Sequence, residues 1–468
     1  MDNTKRICEY IDGKRDEFLK DLSELVAIRS VKSEAKEGMP FGEGSALCME
    51  KTVEMFKRYG FSCENIGNFA AYCDINDKEG ALDILGHVDV VGEGDGWDTD
   101  PYVATLKDDG CIYGRGTDDD KGPVVAALYA MRAVKDLGIP LTKNARLIVG
   151  GDEESGSELD LEAYYKRFKP APATFSPDAS FPIFNVEKGS YKPTFTKKLT
   201  ASDASARVES LSGGYRINVL PAKASAVLVG IGEDELASAI SKTSEITGVT
   251  FTTENKDGKI TLLAEGRSTH ASTPEDGKNG ITALLYLLSL LPLAKCDIND
   301  SVRELSELFP FGDDDGTALG ISQGDDVSGS ISVVLTLLEI NSDSVWARFD
   351  SRTPICANDE NCRFIFEKLI KSKGYDVEGE MGEAHHTPED GDFVKTLKSV
   401  YTGFTGEECP CHYMGGGTYV HNIEGGVAFG ASRPDFQSNL HGANERACVD
   451  DLLRAAKIFA LVIEQMCK

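Results

Sequence analysis

Three apolar runs, ALDILGHVDVV (81–91), ARLIVGGDEESG (145–156) and ATFSPDASFPIF (173–184), carry carboxylates at or near their ends, and this repetition constrains the fold more than any other feature of the chain. Short runs of branched residues bounded by turn signals read as buried strands. Between the first two lies PVVAALYAMRAVKDLG, where Val124, Ala127, Leu128, Met131, Val134 and Leu137 recur at helical spacing. Pro123 suits the first turn of that helix and Gly138 its end. Strand, helix, strand with short connections predicts an α/β core with a largely parallel sheet and helices on both faces. Open sheets of this kind place their sites at the carboxyl ends of the strands, so these acids are candidate functional groups.

From about Lys188 the texture changes to strand-like, partly alternating segments such as RVESLSGGYRINVLPAKASAVLVG, KITLLAEGRSTHAS and SISVVLTLLEIN, separated by helical stretches. This predicts a second, α+β domain over 188–386, built of two similar halves. The last segment, 387–468, is too short for a core of its own and is expected to return to the first domain, 1–187, so that the second domain is an insertion. The N-terminal MDNTKRICEYIDGKRDEFLKDLSELVAI lacks the apolar core of a signal peptide and reads as an amphipathic helix. ITALLYLLSLLPLA (281–294) is too short for a membrane span and reads as a buried helix. A formal charge of −28 argues against nucleic acid or an anionic membrane as partner, since both demand a basic surface. Twelve scattered cysteines without an export signal point to reduced thiols and a cytoplasmic location. CPCH (409–412) lacks a second ligand pair and reads as ordinary loop thiols.

His87 and Asp89 sit two apart in an extended run, which puts both side chains on one face. A carboxylate there can accept the imidazole N–H and raise the basicity of the other ring nitrogen. Asp118, Asp119 and Asp120 open the helix. Free N–H groups at a helix start account for one such acid but not for three, and the spacing is not that of a calcium loop. Glu153 and Glu154, read as extended chain, point in opposite directions, so one is free to bind a metal while the other acts as general base. Asp178 follows a further strand, and His441 lies far along the chain in LHGANE. Two histidines with carboxylates and no obligatory thiol suit zinc, with manganese or cobalt as substitutes. Two ions sharing a carboxylate, roughly 3.5–4 Å apart, would bridge a water and lower its pKa toward ~7.

In this order GHVDVV…GDGW…DP, YGRGTDDDKGP, a strand ending in EES, SPDASFP and HGANE resemble the ArgE/DapE/aminoacylase/carboxypeptidase G superfamily of dinuclear zinc hydrolases, and within it the bacterial PepV-type dipeptidases. The resemblance spans essentially the whole chain. It implies a zinc-exopeptidase-like catalytic domain with an inserted lid, and hydrolysis of dipeptides by a bridging hydroxide. Asp119 becomes the bridge, with His87 and Asp178 on one zinc, Glu154 and His441 on the other, Glu153 as general base and Asp89 as partner of His87. The family has a cis peptide after the bridging aspartate, here Asp119–Asp120. It also implies that His270, in GRSTHAST, stabilises the oxyanion, that Asn218 and Arg352 bind the substrate carboxylate, and that GGGTY (415–419) lines the cleft with Gly417 and Thr418. A doubled lid of about 200 residues implies a monomer that supplies His270 internally, acting on a small peptide.

Two departures stand near the substrate. Relatives commonly read GGGTYAR where this chain has GGGTYVH, with His421 in the arginine's place, and GASRPD (430–435), with Arg433-Pro434-Asp435, replaces the usual approach to the final histidine. The same ligands would serve a deacylase of N-acyl amino acids such as a desuccinylase. A noncatalytic zinc- or peptide-binding protein on this fold would need neither Glu153, Asp89 nor His270.

Overall fold

The computed structural model describes residues 3–468. Two compact units make up the chain. The first runs to Val186 and resumes over His386–His412 and Gly417–Lys468; the second comprises Glu187–His385 with the short excursion Tyr413–Gly416. That excursion, four residues borrowed from the glycine-rich stretch, has no counterpart in the sequence reading.

In the first unit, among the described residues, a nine-stranded sheet is centred on the predicted runs. Strand Gly80–His87 pairs in parallel with Asn144–Gly150 on one side and Ala173–Ser176 on the other, and Val427–Ala428 continues the parallel set beside Ala173–Ser176. Ser62–Ile66 and Ala70–Asp74 add an antiparallel edge. Helix Lys121–Asp136 is buried at every residue from Lys121 to Val134, and it packs against the long helix Val449–Cys467. Each fully buried aliphatic side chain there contributes about 1.5–3 kcal/mol, which fixes the helix start and hence the loop before it. Lys121 is itself buried, its ammonium donating to the carbonyls of Leu25 (3.0 Å) and Ile28 (2.8 Å).

The N-terminal segment is two helices, Asn3–Asp12 and Arg15–Val26, rather than one. Gly13, a poor helix former, lies at the break; the first two residues of the predicted helix fall outside the described ones.

The second unit holds a ten-stranded sheet whose longer strands are antiparallel to their neighbours. Leaving aside the short strand Val219–Leu220, the order strand, strand, helix, strand runs over Arg207–Gly213, Lys223–Val229, Glu233–Thr247 and Thr250–Lys256, and again over Ser332–Ile340, Ser344–Thr353, Phe364–Ser372 and Asp376–Glu378. The run at 281–294 is helical only in its first part, within the buried helix Gly280–Ser289, capped by the Asn279 side chain, which accepts from the N–H groups of Ile281 and Thr282. No helix among the described residues is long and apolar enough to cross a membrane.

Candidate metal centre

The parallel strands deliver His87, Glu153, Glu154 and Asp178 to one end of the first sheet, and the loop before helix Lys121–Asp136 brings Asp119 among them. Two triads result, His87–Asp119–Asp178 and Asp119–Glu154–His441, each with its donor atoms within 4.8 Å of one another. Asp119 belongs to both, and its two oxygens divide the work. Oδ1 lies 3.0 Å from Nε2 of His87, which is 3.6 Å from Oδ2 of Asp178; Oδ2 lies 3.0 Å from Nε2 of His441, which is 3.1 Å from Oε2 of Glu154. Nε2 of His87 and Oδ1 of Asp119 are buried without a hydrogen-bond partner despite their closeness. Two acceptor-capable atoms aimed at common space, with imidazole and carboxylate neighbours, fit a divalent cation of the zinc type.

Around this cluster the second ring nitrogen of His87 is occupied. Nδ1 lies 3.0 Å from the main-chain oxygen of Asp89 and 3.4 Å from its carboxylate. The Asp89 carboxylate accepts instead from the backbone N–H groups of Glu153 and Glu154, both at 3.1 Å. It therefore holds the Glu153–Glu154 turn as well as flanking the histidine. The two glutamates stand in a turn closed by Gly156 N–H on the carbonyl of Glu153 (2.8 Å), not in extended chain. Glu154 joins the second triad and Glu153 joins neither. Of the three aspartates, Asp120 occupies the helix cap but does not cap with its side chain; it accepts the N–H of His87 at 3.0 Å. Gly86 makes room for this, since a Cβ there would come within 2.4 Å of the Asp120 carboxylate. Asp118 accepts from the hydroxyl of Ser432. The Asp119–Asp120 peptide is cis.

Crowded carboxylates set the electrostatics. Burial would lower His87, but Asp119, Asp178 and Asp89 outweigh it and hold the imidazole well above its ordinary value. His441, likewise opposed by burial, is lifted to about 11 by Asp119 and Glu154. Burial and the charge of Asp119 push Glu154 up to about 7 and raise Asp178. Burial would raise Asp119 too, yet the imidazoles of His441 and His87 beside it keep it below the usual carboxylate range. Glu153 is driven well above that range by loss of solvent, helped by Asp178 and Glu154.

The remaining predicted residues divide between the units. In the second, Asn218 and His270 are neighbours: the carbonyl of Asn218 accepts from Ala271 N–H at 2.9 Å, beside the paired residues Val219 and His270. Nδ1 of His270 lies 2.6 Å from Oγ of Ser272. Arg352 is clamped, Nε and Nη2 donating to Asp350 at 2.7 and 3.0 Å and Nη1 to the carbonyl of Gly415 at 2.6 Å. In the first unit, Gly417 is exposed and Thr418 is buried, its side chain capping the short helix Tyr419–Asn422 that carries His421. Arg433 lies 3.7 Å from Asp451.

The sequence matches the profile described as Peptidase family M20/M25/M40 over residues 84–465. The chain belongs to this family. It is 33% identical over 467 residues to "Putative dipeptidase YtjP" of Bacillus subtilis (strain 168), covering 97% of this chain and 98% of the relative. It is 32% identical over 468 residues to the Beta-Ala-Xaa dipeptidase of Lactobacillus delbrueckii subsp. lactis, covering 98% of both. The crystal structure of human carnosine dipeptidase 1 superposes with a TM-score of 0.61 at 17% identity, over 99% of this chain and 98% of that one, which establishes a shared fold. This M20 chain is therefore an enzyme, a hydrolase of the metallopeptidase type, and the resemblance read from its motifs holds.

Sequence reasoning overlooked part of the M20 site's support. Asp160, buried, accepts from the N–H groups of Gly151 and Asp152, both at 2.9 Å, and from the hydroxyl of Tyr419, whose ring meets His87 edge-on at 6.1 Å. Nothing local in the sequence marks this contact, although Tyr419 sits in the quoted GGGTY. Gly150 permits it, because a Cβ there would fall 1.9 Å from the Tyr419 hydroxyl. Gly150→Ala is expected to lower stability by about 1–3 kcal/mol through overpacking, measured by urea unfolding; an unchanged midpoint would refute the close approach.

Proposed function

We propose that this M20 enzyme hydrolyses dipeptides at a centre of two divalent ions, zinc by the chemistry of the donors. His87, Asp119 and Asp178 would hold one ion, and Asp119, Glu154 and His441 the other. The observation that carries the reading is the divided Asp119 carboxylate, each oxygen facing a different histidine at 3.0 Å. Bound there, the ions would supply Lewis acidity and a water ionised near neutral pH.

Glu153 takes the proton of the attacking water and passes it to the leaving amine. Asp89 keeps Glu153 in place through its backbone N–H. His270 donates to the oxyanion, an interaction of a kind typically worth about 3–4 kcal/mol. Asn218 and Arg352 receive the free carboxylate of the substrate. Three of the five guanidinium N–H donors of Arg352 are committed to Asp350 and Gly415, leaving one on each terminal nitrogen for that carboxylate. Gly417 and Thr418 line the approach. Support for these assignments in the second unit is the motif match together with the common neighbourhood of Asn218 and His270.

The name of the Lactobacillus relative brings β-alanyl dipeptides into the proposed substrate range. The test sets α- and β-alanyl dipeptides against N-acyl amino acids, with and without chelator. Dipeptide hydrolysis that chelator abolishes and zinc restores is expected. Turnover of N-acyl amino acids alone would make the protein a deacylase, and turnover of neither class would make it a binder.

A further inference from the structure

Glu445 stands four residues after His441 and is fully buried. Its Oε1 accepts from the backbone N–H groups of Gly116 and Asp118 at 3.0 Å and of Asp119 at 3.3 Å; Oε2 accepts from Gly116 at 3.1 Å and from Nη1 of Arg115 at 2.6 Å. Arg115 is buried too, and its Nη2 reaches the carbonyls of Gly442, at 3.0 Å, and Gly92, at 3.3 Å. The main chain closes the link, with Gly114 N–H donating to the carbonyl of Glu445 at 3.0 Å. One carboxylate thus gathers the loop that carries Asp119 and the loop that carries His441.

We infer that Glu445 is a positioning residue for the metal centre, fixing the Asp119 backbone relative to His441 so that one carboxylate can serve both triads. Every group that touches it is a donor, so the site requires acceptors on both oxygens. Glutamine cannot supply them, because its amide nitrogen would face either the backbone N–H groups or the guanidinium. The charge is matched by Arg115, and no metal ligand is displaced. Residues that orient metal ligands in this way commonly tune affinity by 10–100-fold.

The inference rests on the proposed metal centre, and the experiment separates the two. Metal-free wild type, Glu445→Gln and Glu445→Asp are titrated with zinc in competition with a chromophoric chelator, and cobalt-loaded samples are compared by visible absorption. Affinity of folded protein does not depend on its global stability, so a purely structural role leaves it unchanged in any variant that circular dichroism shows to be folded. Expected are two ions in wild type, affinity weaker by about 10–100-fold in Glu445→Gln with an altered cobalt spectrum, and a smaller loss in Glu445→Asp, which keeps the charge and shortens the reach. Native affinity and spectrum in folded Glu445→Gln would overturn the inference. Should Glu445→Gln not fold, native affinity in Glu445→Asp, or failure of that variant to fold, would overturn it as well. A wild type that takes up no zinc would overturn the metal-centre reading beneath it.

Discussion

Asp119→Ala is expected to lose both ions and to lower turnover by roughly 10³-fold or more, while Asp118→Ala keeps both ions and stays within about tenfold of wild type. The contrast follows from geometry. Removing the Asp119 carboxylate takes one donor from each triad at once, leaving His87 with Asp178 and His441 with Glu154. Asp118 offers its carboxylate to Ser432, and the N–H it gives Glu445 belongs to the backbone and survives substitution. Metal content after desalting, measured beside dipeptide turnover, checks both. Two ions retained in Asp119→Ala would end the shared-ligand assignment.

Glu153→Ala is expected to reduce kcat by about 10²–10⁴-fold, the usual reach of a general acid–base group, with two ions still bound. Glu153 lies beside the triads and in neither, so its loss spares the ligand set. The turn is held by backbone N–H groups on Asp89, which also survive the substitution. Stoichiometric zinc together with near-normal turnover would remove Glu153 from the mechanism; loss of zinc would make it a ligand.

The acids of the proposed ligand set were legible because their signals are local, whereas His441 entered it only through the family resemblance. Acids closing apolar runs, and an aspartate triplet placed just before a helix, survive in one dimension, and the parallel sheet then brings them together. Contacts made across the chain leave no such trace. Asp160 meets Tyr419 across a separation of 259 residues, and Glu445 meets Gly116 across 329. Glu445 lay inside the quoted HGANE, yet spacing alone could not say that its carboxylate faces backbone donors. The excursion Tyr413–Gly416 was hidden for a related reason: four residues carry no periodicity. The strand that precedes Glu153–Glu154 suggests extended geometry, whereas the chain turns at once to put their N–H groups on Asp89.

The divided carboxylate of Asp119 also orders events during synthesis. Its first triad is complete in sequence by Asp178, whereas His441 follows Asp119 by 322 residues. A nascent chain that has emerged only as far as the second unit holds four of the five proposed ligands and lacks His441. Domains commonly fold as the ribosome releases them, but this centre closes only when the returning segment docks. Until then the proposed centre is unfinished, and a chain truncated before His441 is expected to show no dipeptide turnover.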